Sequence, residues 1–84
     1  MVIELQTVQD VKDFVEISNK YHDSEIIIKQ DKYKIDGKSI LGIFSLNLLK
    51  PVKVIAGSEN NSSKISFYNN IQKWKVDDLD QMKL

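Results

Sequence analysis

The sequence predicts an α+β domain, one antiparallel sheet with helices packed on one face. Three observations carry that prediction. Four segments have the alternation or the β-branched content of strands. Two of them are separated by a tight polar turn, which makes a hairpin. Segments of helical period stand between the others, giving the order β-α-β-β-α-β-α.

The elements follow in order. In Val2–Gln6, Ile3 and Leu5 alternate with Glu4 and Gln6, the period of a half-buried strand. Thr7 and Asp10 then form a T-x-x-D helix start, with Thr7 as N-cap. Behind them Val8, Val11, Phe14, Val15, Ser18 and Tyr21 recur at helical spacing, which predicts a helix from Val8 to about Tyr21. Glu25–Gln30 holds three consecutive isoleucines, Asp31-Lys32 makes the turn, Tyr33-Lys34-Ile35 alternates again, and Asp36-Gly37 closes that strand. Lys38–Leu49 is apolar on nearly all sides. It opens as a short helix with Ser39 near its N-cap. Gly42, disfavoured by up to ~1 kcal/mol relative to alanine, keeps that helix brief. Pro51 precedes a fourth strand, Val52–Ala56, which Gly57 ends. Ser58 or Asn61 caps a last helix, in which either Ile65, Tyr68 and Ile71 or Phe67, Ile71 and Trp74 face the core. Residues 1–84 read as one domain, and Lys75–Leu84 either extends the last helix or frays.

Composition narrows the function classes. The chain has 84 residues, with 12 basic and 12 acidic side chains and a formal net charge of zero. The positive field that draws a protein onto nucleic acid or an anionic membrane is missing, so neither is expected as a partner. Every basic residue is lysine, so arginine's forked phosphate clamp is unavailable. There is no cysteine, hence no disulfide framework, thiolate zinc site or cysteine nucleophile. No apolar run approaches the ~20 residues of a membrane span. Met1-Val2-Ile3-Glu4 has no basic or apolar leader region, so no signal peptide is expected and the location expected is the cytoplasm. No P-loop, catalytic carboxylate pair or Ser-His-Asp set occurs, and the chain is not expected to be an enzyme or to need a cofactor. Asp77, Asp78 and Asp80 lack the glycine-bearing loop of a calcium site and read as a solvated tail; no metal is expected. Lys29, Lys32 and Lys34 on the hairpin read as edge protection and solubility. Tyr21, Tyr33, Tyr68 and Trp74 sit at core spacing.

At Lys38-Ser39-Ile40-Leu41-Gly42-Ile43-Phe44-Ser45-Leu46 the sequence resembles the HPr family, the small phosphocarriers of the bacterial phosphoenolpyruvate-dependent sugar phosphotransferase system (PTS). The second helix of these proteins carries a K-S-I-[LM]-G-[VI]-x-S-L pattern. The element order, Asn19-Lys20-Tyr21 at the end of the first helix and the Val52–Ala56 strand before a glycine extend the likeness to about Trp74. The resemblance implies an open-faced β-sandwich, a four-stranded antiparallel sheet with three helices on one face.

The resemblance also defines a departure. In the family, phosphate rides on a histidine at the start of the first helix, followed by Ala-Arg-Pro. Here Thr7 stands at the histidine position, Gln9 at the arginine position and Asp10 at the proline position. Asp10 adds negative charge where the family receives an anion. A phosphothreonine ester would not hand its group onward as a phosphohistidine does. The one histidine, His22, follows the first helix and reads as an exposed residue near its C-terminus, not as a displaced phosphoacceptor. Ser39 corresponds to the serine that a dedicated HPr kinase/phosphorylase modifies in low-GC Gram-positive members, whose phosphorylated form acts in carbon catabolite regulation. A phosphate at an N-cap suits that position, and so does a plain capping hydroxyl. Ile40, Leu41 and Phe44 correspond to the family's partner-docking face, while Ile43 and Leu46 read as core. The expected role is regulatory or binding, beside the PTS and without histidine phosphocarriage. The expected partners are an HPr kinase/phosphorylase, enzyme I or a transcriptional regulator. A working phosphocarrier charged by enzyme I and an interaction module unrelated to sugar uptake are the alternatives.

Overall fold

A computed structural model describes residues 1–76. The strands are β1 (Val2–Ile3), β2 (Glu25–Gln30), β3 (Tyr33–Asp36) and β4 (Val52–Gly57); the helices are α1 (Val8–Asn19), α2 (Ile40–Phe44) and α3 (Asn61–Asn70), followed by a 3-10 turn at Gln72–Trp74. The sheet order is β1-β4-β2-β3 and every pairing is antiparallel. The expected α+β architecture, four antiparallel strands with three helices, is the one that forms.

Alternation along the inner strands separates two faces. Ile26, Ile28 and Gln30 of β2 and Val52, Val54 and Ala56 of β4 are buried beneath the helices. Glu25, Lys29, Lys53 and Gly57 point the other way and are exposed. Phe14 of α1, Phe67 of α3 and Trp74 fill the helix side, with Phe14 edge-on to both at 6.1 Å between ring centroids. Such edge-to-face pairs stabilise beyond the area they bury.

Several boundaries differ from the sequence reading, each for a local reason. β1 has two residues instead of five. The Gln6 amide is taken by the Asp10 carboxylate at 3.0 Å, so the chain leaves the sheet to start α1. On its outer side β1 meets the segment after α3: the Glu4 amide donates to the Trp74 carbonyl and the Val76 amide to the Val2 carbonyl, both at 3.0 Å, and Ile3 bridges Lys75. Lys75 and Val76 therefore belong to the sheet edge. Asp77, Asp78 and Asp80, expected to form a solvated tail, lie outside the described residues, as does the rest of that segment.

Within α1, Val11, Phe14 and Ser18 are buried, but Val8 is exposed. At 100° per residue Val8 sits about 80° from the centre of the stripe those three define. The cap of α3 is Asn60, whose side chain accepts from the Ser62 and Ser63 amides, and not Ser58 or Asn61. Its buried set is Phe67, Ile71 and Trp74; Ile65 faces solvent. Tyr33 is also exposed, because it lies on the edge strand β3 beside the Asp31-Lys32 turn. Gly42 has a packing reason: a Cβ there would lie 2.7 Å from Ile35 Cγ2, so glycine lets α2 settle onto β3.

Candidate functional site

The start of α1 is built around a reciprocal pair. Thr7 has extended backbone angles, and its hydroxyl accepts the Asp10 amide at 3.0 Å. The Asp10 carboxylate in turn accepts the Gln6 and Thr7 amides at 3.0 and 3.1 Å. This is the capping box that the T-x-x-D spacing implies. Burial pushes the Asp10 carboxyl up, but hydrogen bonds from the Trp74 side chain, from the Thr7 and Gln6 backbones and from the Thr7 side chain outweigh it and hold the group below the ordinary 3.8. Gln9 is turned along the helix, where its amide donates to Asp13 at 2.9 Å.

A folded-state value below the unfolded one stabilises the fold above pH ~4, and that stabilisation is lost as pH falls through the lowered value. Asp10→Ala is therefore expected to cost about 0.5–1 kcal/mol at neutral pH. The difference from the parent chain should shrink to nothing in strong acid. Urea unfolding at several pH values reads this directly.

Ser39 forms the second helix start. Its hydroxyl accepts the Gly42 amide at 3.1 Å, its amide donates to the Asp36 carbonyl at 3.0 Å, and its carbonyl accepts from Ile43. The side chain is half-buried. The preceding Lys38 does not point at it. Its ammonium donates to the Tyr21 and Ser24 carbonyls, both at 2.8 Å, pinning the loop after α1. Asn19, at the C-terminal end of α1, reaches the Lys38 carbonyl at 3.4 Å. Thr7 and Ser39 therefore belong to opposite ends of α1, a helix of 12 residues and so ~18 Å long.

The apolar set on α2 divides. Leu41 is 80% exposed and Phe44 40%. Ile40 is half-buried and packs on the core, so it contributes less free surface than the other two. Ile43 and Leu46 are core, as their spacing implies. Leu49, in the loop after α2, is a further exposed apolar side chain, at 96%, that the sequence reading does not single out. No local signal marks it: the Gln30 side-chain amide exchanges two hydrogen bonds with the Asn47 backbone, at 2.7 and 2.9 Å, and that long-range clamp holds the loop before Leu49.

His22 is exposed and lines an open cleft of about 590 Å³ with Asp23, Glu25, Lys34, Asp36 and Lys38. Among the described residues no group of three or more potential ligands is placed to hold a metal. Among them, too, no helix is long and apolar enough to cross a membrane.

A four-stranded antiparallel sheet with three helices in this order is an HPr-like fold. The chain is similar to HPr-C-His from Thermoanaerobacter tengcongensis, at 26% identity and a TM-score of 0.66, over 86% of this chain and 89% of that one. It is similar also to Crh, the catabolite repression containing protein of Bacillus subtilis, at 22% identity and a TM-score of 0.61, over 92% and 90% of the two chains. A phosphocarrier protein HPr from Bacillus anthracis shares 20% identity at a TM-score of 0.59, over 84% of this chain and 93% of that one. No family model matches the sequence, and no curated protein matches it.

Proposed function

We propose that this chain is an HPr-like regulatory or binding protein of a bacterial cytoplasm, working beside the sugar phosphotransferase system without carrying phosphate on a histidine. The observation that carries the reading is the Asp10 carboxylate seated on the Gln6 and Thr7 amides. Where the family receives a phosphoryl group, this chain supplies its own anion, and a second anion would meet like-charge repulsion. Thr7 and Gln9 offer neither a phosphoramidate-forming nitrogen nor a guanidinium. His22 stands beyond the far end of α1, next to Asp23. The likeness to Crh, whose name refers to catabolite repression, supports a regulatory assignment.

Ser39 is the modification site of this reading. Phosphorylation would place oxygens where the hydroxyl now accepts the Gly42 amide, so the cap interaction is kept while charge is added. Leu41 and Phe44, with the accessible part of Ile40, form the contact face for an HPr kinase/phosphorylase, enzyme I or a transcriptional regulator.

The test is intact-mass spectrometry after incubation with an HPr kinase and ATP. One phosphoryl group is expected on the parent chain and none on Ser39→Ala. A parallel incubation with enzyme I and phosphoenolpyruvate is expected to leave the mass unchanged. An acid-labile adduct in that arm would overturn the reading in favour of a phosphocarrier. No adduct in either arm would favour an interaction module unrelated to sugar uptake.

A further inference from the structure

Strand register brings three lysines into one row across the open face of the sheet. Lys29 of β2 stands directly opposite Lys34 of β3 on one side and Lys53 of β4 on the other. All three are exposed. Like charges directly opposite on one sheet face are destabilising. Protection of a sheet edge accounts for Lys34, which lies on an edge strand. It does not account for Lys29 and Lys53, because β2 and β4 are the inner strands.

Nor are these charges neutralised locally. Among the described residues the lysine that forms an ion pair is Lys50, with Asp31 at 3.2 Å. The acids nearest on the same face are Asp36, Glu4 and Glu25; Glu4, two residues on from Val2 opposite Lys53, accepts the Gln6 side-chain amide at 3.1 Å. Asp36 sits one row away opposite Ile27 and accepts the Lys38 amide at 2.9 Å; Glu25 lies a further row on, opposite Gly57. Between the lysines and Glu25 runs a half-buried apolar pair, Ile27 and Ile55, also in direct register.

We propose that this open face is a docking surface for an extended acidic segment of a partner protein, its carboxylates on the lysine row and an apolar side chain on Ile27 and Ile55. Charge complementarity selects the class. Three ammonium groups without arginine suit separate carboxylates, and the neighbouring isoleucines suit a peptide side chain. A polyphosphate strand has no apolar group to set on Ile27 and Ile55. The surface lies on the side of the sheet opposite the helices, and so is separate from Ser39 and Leu41.

The experiment titrates a fluorescent peptide of repeating Glu-Ser-Val-Ser, which when extended presents glutamate and valine on one face, with the full chain at low salt and reads anisotropy. Binding that weakens with salt is expected. Combined Lys29→Gln, Lys34→Gln and Lys53→Gln should weaken it by about tenfold or more, at roughly half a kcal/mol for each exposed charge. Combined Lys12→Gln, Lys20→Gln and Lys64→Gln, which removes the same charge from the helix side, should change it less than twofold. Relieving the uncompensated repulsion should also raise the melting temperature of the first variant by about 2–4 °C. No binding by the parent chain, equal loss in both variants, or a lowered melting temperature in the first would overturn the proposal. Tighter binding of a single-stranded oligonucleotide through the same lysines would overturn it in favour of a nucleic-acid surface.

Discussion

Phe67→Ala is expected to destabilise the domain by about 3–5 kcal/mol. Phe67 is fully buried, and its ring meets Phe14 edge-on at 6.1 Å and Tyr21 at 5.5 Å. It is the buried residue of α3, so removing it detaches that helix from α1 as well as opening a cavity. For a domain whose whole stability is of the order of 5–15 kcal/mol, that loss leaves little margin. Ile65→Ala, two residues away on the same helix, should stay within about 0.5 kcal/mol because Ile65 is 63% exposed. Urea unfolding of both variants separates the two faces of α3. Equal effects would mean that the helix is rotated from the orientation described.

Leu41→Asp is expected to weaken binding to an HPr kinase by about 2 kcal/mol or more, roughly 30-fold in Kd, while unfolding stays cooperative at an unchanged midpoint. Leu41 protrudes from a five-residue helix and is 80% exposed, so a carboxylate there meets water in the free protein and buried apolar surface in a complex. Phe44→Asp should act on binding with some loss of stability, since more than half of that ring is covered. Ile40→Asp should chiefly destabilise, because Ile40 packs against the core. Retained affinity in Leu41→Asp, measured by calorimetry, would remove α2 from the contact surface.

Much of the fold was legible because local signals and tertiary packing agree. The capping box at Thr7 and Asp10, the isoleucine run of β2 and the strand between Pro51 and Gly57 each specify their element from a few residues. The sequence leaves the core face of α3 open between two sets. Its sequence has almost no one-sided apolar stripe, and only packing against Phe14 and Tyr21 decides for Phe67. The extent of β1 could not be read either, since the Asp10 carboxylate takes the Gln6 amide and ends it, and its outer pairing comes from Trp74, seventy residues from Glu4. The same distinction runs through the sites. Ser39 and Thr7 were visible as caps. Whether Leu41 and Phe44 stand free depends on how α2 settles on β3, and the course of the chain before Leu49 depends on the Gln30–Asn47 clamp. The lysine row has no local signature, because its members come from three strands and meet only through register.

The bridge between β1 and Lys75 has a consequence for the order in which the chain can settle as it leaves the ribosome. Val2 and Ile3 are made well before their partners: the inner ones, Val52 and Lys53, appear only some fifty residues later, and the outer ones only with Trp74 and Val76. The hairpin of β2 and β3 can close as soon as Tyr33–Asp36 is made. Contacts of such long sequence separation form late because the intervening loop must first be closed. β1 is thus made ahead of the other strands and is among the last elements to find its place, and until residue 76 is free the start of α1 lacks the Trp74 contact that helps hold Asp10.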